Sequence, residues 1–117
     1  MEQDEIIIIN GHPFDPIEVK TTFLVVFGLK NELIVRYIGG DLNDIKRLKT
    51  KLQIKFDACS SPVMVYKALK AGFDHKGCYK GVPVFTEKEG KRLKAIAPWV
   101  NLHYRQAANT LFSCVEL

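Results

Sequence analysis

The hydrophobic pattern changes period along the chain. It opens on an unbroken β-branched run, Glu5-Ile6-Ile7-Ile8-Ile9-Asn10, closed by Asn10-Gly11. Such a run bounded by a turn signal predicts a strand covered on both faces. Gly11 to Pro16 predicts a turn-rich connector, because Pro13 and Pro16 each push the preceding residue out of the helical region. Thr21 to Phe27 and Leu33 to Ile38 are both dense in strand formers, and Lys30-Asn31-Glu32 lies between them. Residues 18–38 therefore predict an antiparallel hairpin, with Asn31 best able to take a positive φ in its turn. The same stretch carries a competing signal, Asp15 as a helix cap and Pro16 as a first helical residue. The β-branched density favours the hairpin.

After Gly39-Gly40 the period becomes helical. Leu42, Ile45, Leu48 and Leu52 recur on one face behind Asp41 as cap, predicting a helix over about 41–52. Gln53 to Asp57 alternates polar and apolar and fits either a helical extension or a fourth short strand. Ser60-Ser61-Pro62 starts a helix over about 62–72, with Gly72 as its stop. Residues 73–85, punctuated by Gly77, Gly81 and Pro83, predict a short hairpin or wing. Thr86-Glu87-Lys88-Glu89 is a capping box and opens a helix over about 87–97, ended by Pro98. Val100, Tyr104, Ala107, Ala108 and Leu111 continue a helical period over about 98–112. The expected fold is an α+β domain spanning 1–117, with an N-terminal antiparallel sheet of three or four strands packed against three or four helices.

Composition narrows the class. Of 117 residues, 47% are hydrophobic and 26% charged, enough apolar area to offset the entropy of ordering a single domain. No apolar run approaches the roughly 20 residues a membrane-spanning helix needs, so no membrane partner is expected. The first five residues carry three acids and no base, the reverse of a signal or transit peptide. With the odd set Cys59, Cys78 and Cys114, this predicts a cytoplasmic protein with reduced thiols.

Charge adds a polarity. Residues 1–45 hold three bases against eight acids, and residues 46–117 hold fourteen bases against five acids, for a net charge of +4. A basic half can attract a polyanion.

Candidate chemistry is sparse. Cys59, His75 and Cys78, with His103, Cys114 or His12 as a fourth ligand, carry donors suited to zinc, but only His75 and Cys78 are closely spaced, and structural zinc sites usually present two such knuckles. Cys59 ahead of a helix start and Cys78 near His75 are the thiols a nucleophilic mechanism would use, without any local catalytic signature. Asp41 with Asp44, and Glu87 with Glu89, read first as helix-start residues placed by the dipole. No phosphate loop or dinucleotide motif occurs. The sequence therefore predicts no catalytic residue, no metal and no cofactor.

Most residues gather on nucleic-acid binding. Ser61 to Gly72 resembles the first helix of a helix-turn-helix in the spacing of Ala68 and Gly72, with Phe73 following. It departs from that motif at Lys67, Ala71 and Gly77. What remains is a helix–wing–helix segment in which Lys76, Tyr79, Lys80, Lys88, Lys91, Arg92 and Lys94 are positioned to contact phosphates of DNA or RNA. The alternative is a protein-interaction or inhibitor module, with Trp99 and Tyr104 as aromatic anchors and homodimerisation through the C-terminal helix.

Overall fold

The computed structural model describes residues 6–105. Two strands, β1 (Ile7–Ile9) and β2 (His12–Phe14), form an antiparallel hairpin with Ile7 opposite Phe14 and Ile9 opposite His12. Asn10 and Gly11 at its tip both have positive φ, 53° and 81°, the turn geometry that matches the twist of paired strands. The isoleucine run is not covered on both faces as expected. Ile9 is buried while Ile8 is 62% exposed, so the strand alternates at the edge of the core.

The hairpin expected at 18–38 is instead a pair of helices, α1 (Pro16–Val26) and α2 (Asn31–Ile38). The local reason is a capping box. The Glu18 N–H donates to Asp15 Oδ1 at 2.8 Å and the Asp15 N–H donates to Glu18 Oε1 at 2.9 Å, with Pro16 pre-set for the first turn. The tertiary reason is burial. Every residue from Thr21 to Phe27 is buried, so the second half of α1 is enclosed and has no solvent face, while Ile17 near its start is exposed. Packing overrides the modest helix penalty of its β-branched residues. At its end Gly28 (φ 85°) donates to Val25 O and Leu29 donates to Leu24 O, the paired bonds of a left-handed helix stop.

Helix α3 (Leu42–Lys55) absorbs residues 53–55, settling that ambiguity for helix, and α4 (Ser61–Ala71) begins at the Ser60 cap. A second hairpin follows, β3 (Cys78–Tyr79) with β4 (Val82–Pro83), and then α5 (Glu87–Ile96). The described residues thus hold five helices and two separate two-stranded antiparallel sheets. The α+β class stands, while the single N-terminal sheet of three or four strands is replaced by one hairpin at the start and one between α4 and α5. The helix expected over 98–112 is absent through residue 105: Pro98 and Trp99 form a turn, residues 100–104 are irregular and Arg105 bridges Thr86; residues 106–112 lie outside the described residues.

Phenylalanines from separate elements converge on α1. Phe23 packs against Phe73 (ring centroids 4.7 Å) and Phe85 (5.7 Å), and Phe14 against Phe56 (5.2 Å). Each buried ring contributes about 1.5–3 kcal/mol by burial. No helix among the described residues is long and apolar enough to cross a membrane.

Candidate nucleic-acid interface

The seven residues singled out from sequence fall on two neighbouring elements, the second hairpin and α5. The hairpin is held from behind. Asp74 Oδ1 accepts from the Lys76 and Cys78 N–H groups at 2.8 and 2.9 Å, and the Lys76 carbonyl accepts from the His103 N–H at 2.7 Å. Gly77 (φ 83°) lets the backbone pass closely over Leu102 and Phe85. This anchoring turns the Lys76 and Lys80 side chains to solvent. Tyr79 is half-buried, its ring edge-on to Phe73 at 5.1 Å, with the Lys80 ammonium 5.5 Å from its centroid. The ring is therefore already engaged on both counts.

On α5 the capping box expected from sequence is formed, Thr86 N–H to Glu89 Oε1 at 2.9 Å and Glu89 N–H to Thr86 Oγ1 at 3.1 Å. Leu93 and Gly90 face inward, and Lys88, Lys91, Arg92 and Lys94 are exposed. Their situations differ. Lys91 pairs with Glu87 at 3.3 Å one turn away. The Arg92 guanidinium lies 4.2 Å over the Tyr37 ring and donates to the Tyr37 carbonyl, clamping α5 to the end of α2. Lys76, Lys80, Lys88 and Lys94 make no ion pair among the described residues.

Three ion pairs that sequence reasoning missed join distant parts of the chain through two carboxylates, Glu18 and Glu89. Lys20 reaches Glu89 at 2.6 Å, and Lys55 reaches the buried Glu18 at 2.8 Å, with Lys51 at 3.2 Å. Burial would raise both carboxyls, but the lysine hydrogen bonds and the backbone N–H groups outweigh it and hold both below the ordinary range. Next to Glu89, the Tyr37 hydroxyl is pushed up to about 12, by burial first and by the Glu89 charge second, with Arg92 opposing. The only sequence signal for these pairs was the Glu at the third position of each capping box, which also marks a carboxylate fixed in place.

Cys59 is exposed and Cys78 is buried, and no three His, Cys, Asp or Glu side chains are placed to hold a metal among the described residues. Cys114 lies outside them. Burial pushes the Cys78 thiol up, Asp74 adds to this and Lys76 partly offsets it. That is the opposite of an activated nucleophile.

Comparison with protein-family models, with curated proteins and with solved structures finds no match to this chain.

Proposed function

We propose that this chain is a small, non-enzymatic nucleic-acid-binding or regulatory protein that contacts phosphates through the second hairpin and the solvent face of α5. The observation that carries the reading is the group of four exposed lysines that make no ion pair among the described residues, Lys76 and Lys80 on the hairpin and Lys88 and Lys94 on the helix. Residues 76–94 hold six bases against two acids. Within the set, Lys91 contributes less because it is shared with Glu87, and Arg92 serves first as a clamp on Tyr37. Tyr79, with its ring engaged, contributes through its hydroxyl rather than by stacking. Contact of this kind is electrostatic and sequence-independent, and it suits a cytoplasmic protein with reduced thiols.

The test is fluorescence anisotropy with labelled single-stranded DNA, duplex DNA and RNA across a salt series. Four phosphate contacts give a slope of log affinity against log salt of about −3. Lys88→Ala with Lys94→Ala should weaken binding and flatten that slope by about 1.5, without loss of stability. Absence of binding to all three nucleic acids at low salt would overturn the reading.

A second reading, a protein-interaction or inhibitor module, is supported by Trp99. Its ring is 57% exposed while its Nε1–H donates to the Phe27 carbonyl at 2.9 Å, which presents a fixed aromatic surface. It predicts a dimer or a protein partner in sedimentation and pull-down experiments, lost in Trp99→Ala and insensitive to the lysine changes.

A further inference from the structure

A cavity of about 780 Å³ opens between the two hairpins, where the N-terminal ends of α1 and α5 meet. Its volume lies in the range of small-molecule sites. Ile7 on β1, Ile17 on α1, and Val82 and Val84 at β4 give it an apolar wall. Ile17 and Val82 stand at the rim, 50% and 61% exposed.

The charged groups of the wall are nearly all spoken for, while the Tyr79 hydroxyl makes no hydrogen bond among the described residues. Lys20 and Glu89 neutralise one another at 2.6 Å. Asp15 accepts from the Glu18 N–H and sits at the positive end of α1, where the dipole complements its charge. The Thr86 hydroxyl accepts from the Glu89 N–H. Arg105 is the exception. Its Nη2 makes one long bond of 3.5 Å to the Val84 carbonyl, and its buried Nε has no hydrogen-bond partner among the described residues. Among the described residues it makes no ion pair. An apolar cleft lined by one guanidinium that makes no ion pair among the described residues is complementary to an apolar body ending in a planar anion, because the two Nη groups form a fork that matches two carboxylate oxygens, while the buried Nε is covered by protein. Asp15 and Glu89 on the same wall disfavour a doubly charged phosphate.

We propose that this cavity binds a small amphiphile with a single carboxylate, its chain against Ile7, Ile17, Val82 and Val84 and its headgroup on the Arg105 fork. The site shares Tyr79 with the phosphate-contact reading but rests on Arg105 and the apolar wall, and it is tested without nucleic acid.

The probe pair is decanoate and decanol, titrated calorimetrically into the full chain. Decanoate should bind, with decanol bound roughly tenfold more weakly, the value of a charge-assisted hydrogen-bond pair. Arg105→Gln should abolish the preference by weakening decanoate alone, Arg105→Lys should restore part of it, and Ile17→Glu should weaken both probes. Should Arg105→Gln fail to fold by circular dichroism, the decanoate-to-decanol ratio on the unmodified chain still decides. Equal binding of the two probes, or binding of neither, overturns the proposal. So does a concentration-dependent dimer that Ile17→Glu dissociates and decanoate does not, which would assign the cleft to a second copy of the chain.

Discussion

Glu18→Gln should be the most costly polar substitution in the described fold. The carboxylate is 3% exposed. It accepts from Lys55 Nζ at 2.9 and 2.8 Å through its two oxygens, and from the Asp15 N–H at 2.9 Å. Lys55 in turn donates to the Pro13 carbonyl at 2.6 Å and lies 5.1 Å from the Phe14 ring centroid. One carboxylate therefore fastens β2, α1 and α3. Glutamine keeps the shape and one acceptor but loses the charge, leaving Lys55, whose side chain is only 16% exposed, without its counterion. Removing one partner of a buried pair costs about 3–5 kcal/mol. The Pro13 carbonyl retains part of the lysine's solvation, and the 59% exposed Lys51 adds little, in line with surface pairs at about 0.5 kcal/mol. The expected loss is thus about 2–3 kcal/mol at neutral pH, read from urea unfolding followed by circular dichroism.

The pH dependence separates charge from shape. The folded-state carboxyl is held below its ordinary value, so its stabilisation is present above the unfolded value of about 4.3 and is lost as pH falls through the folded value. The gap between the unmodified chain and Glu18→Gln should be constant from neutral pH down to about 5 and close below about 4. A gap under about 0.5 kcal/mol at pH 7, or one that stays open in acid, would refute the assignment.

Three further outcomes follow from the same geometry. Gly77→Ala should destabilise by about 2–3 kcal/mol, since φ is 83° and a Cβ would meet Leu102 Cδ1 at 2.6 Å and Phe85 Cδ2 at 3.1 Å; a thermal melt unchanged from the parent contradicts it. Arg92→Ala should cost about 1–2 kcal/mol by freeing α5 from Tyr37, with Arg92→Lys recovering little because lysine lacks the planar face; neutral unfolding curves for both would remove the clamp. Tyr37 should ionise near pH 12, an ultraviolet step absent from Tyr37→Phe. Because the folded state resists that ionisation, stability should fall as pH rises past the unfolded value of about 10.

The helices after residue 40 were legible because their signals are local. Asp41, Ser60 and Thr86 cap free N–H groups, and the apolar period behind Asp41 and Thr86 finds inward residues such as Ile45, Leu52 and Leu93. Behind Ser60 the expected stripe of Val63, Tyr66 and Leu69 gives way to Met64 and Ala68, with Tyr66 and Leu69 exposed. Helix α1 was not legible from periodicity for a physical reason. An enclosed helix has no polar face, so Thr21 to Phe27 shows neither a helical nor a strand period, and composition alone then favours the strand. Its cap, Asp15-Pro16 with Glu18, was visible in the sequence and carried the correct answer. The isoleucine run failed in the opposite direction, since four equivalent residues hide an alternation that only the pairing with His12, Pro13 and Phe14 imposes. The cavity was invisible, because Ile7, Lys20, Val82 and Arg105 are brought together only by tertiary packing.

The charge polarity changes meaning once the chain is folded. Read linearly, an acidic first part and a basic remainder suggest two faces of opposite sign. In space they interlock: Glu18 of α1 takes Lys51 and Lys55 of α3, and Glu89 of α5 takes Lys20 of α1. Lys67 spans to Asp57, and Lys49 donates to Asn31. Much of the basic surplus is therefore a set of fasteners between elements far apart in sequence, and its removal would be felt in stability first. The proposed phosphate contact rests instead on cations that make no ion pair among the described residues, Lys76, Lys80, Lys88 and Lys94. For that reason Lys88→Ala with Lys94→Ala is a sharper test than any change at Lys91 or Arg92. The first pair reports on a partner alone, whereas Arg92 reports on the α2–α5 junction whether or not a partner is present.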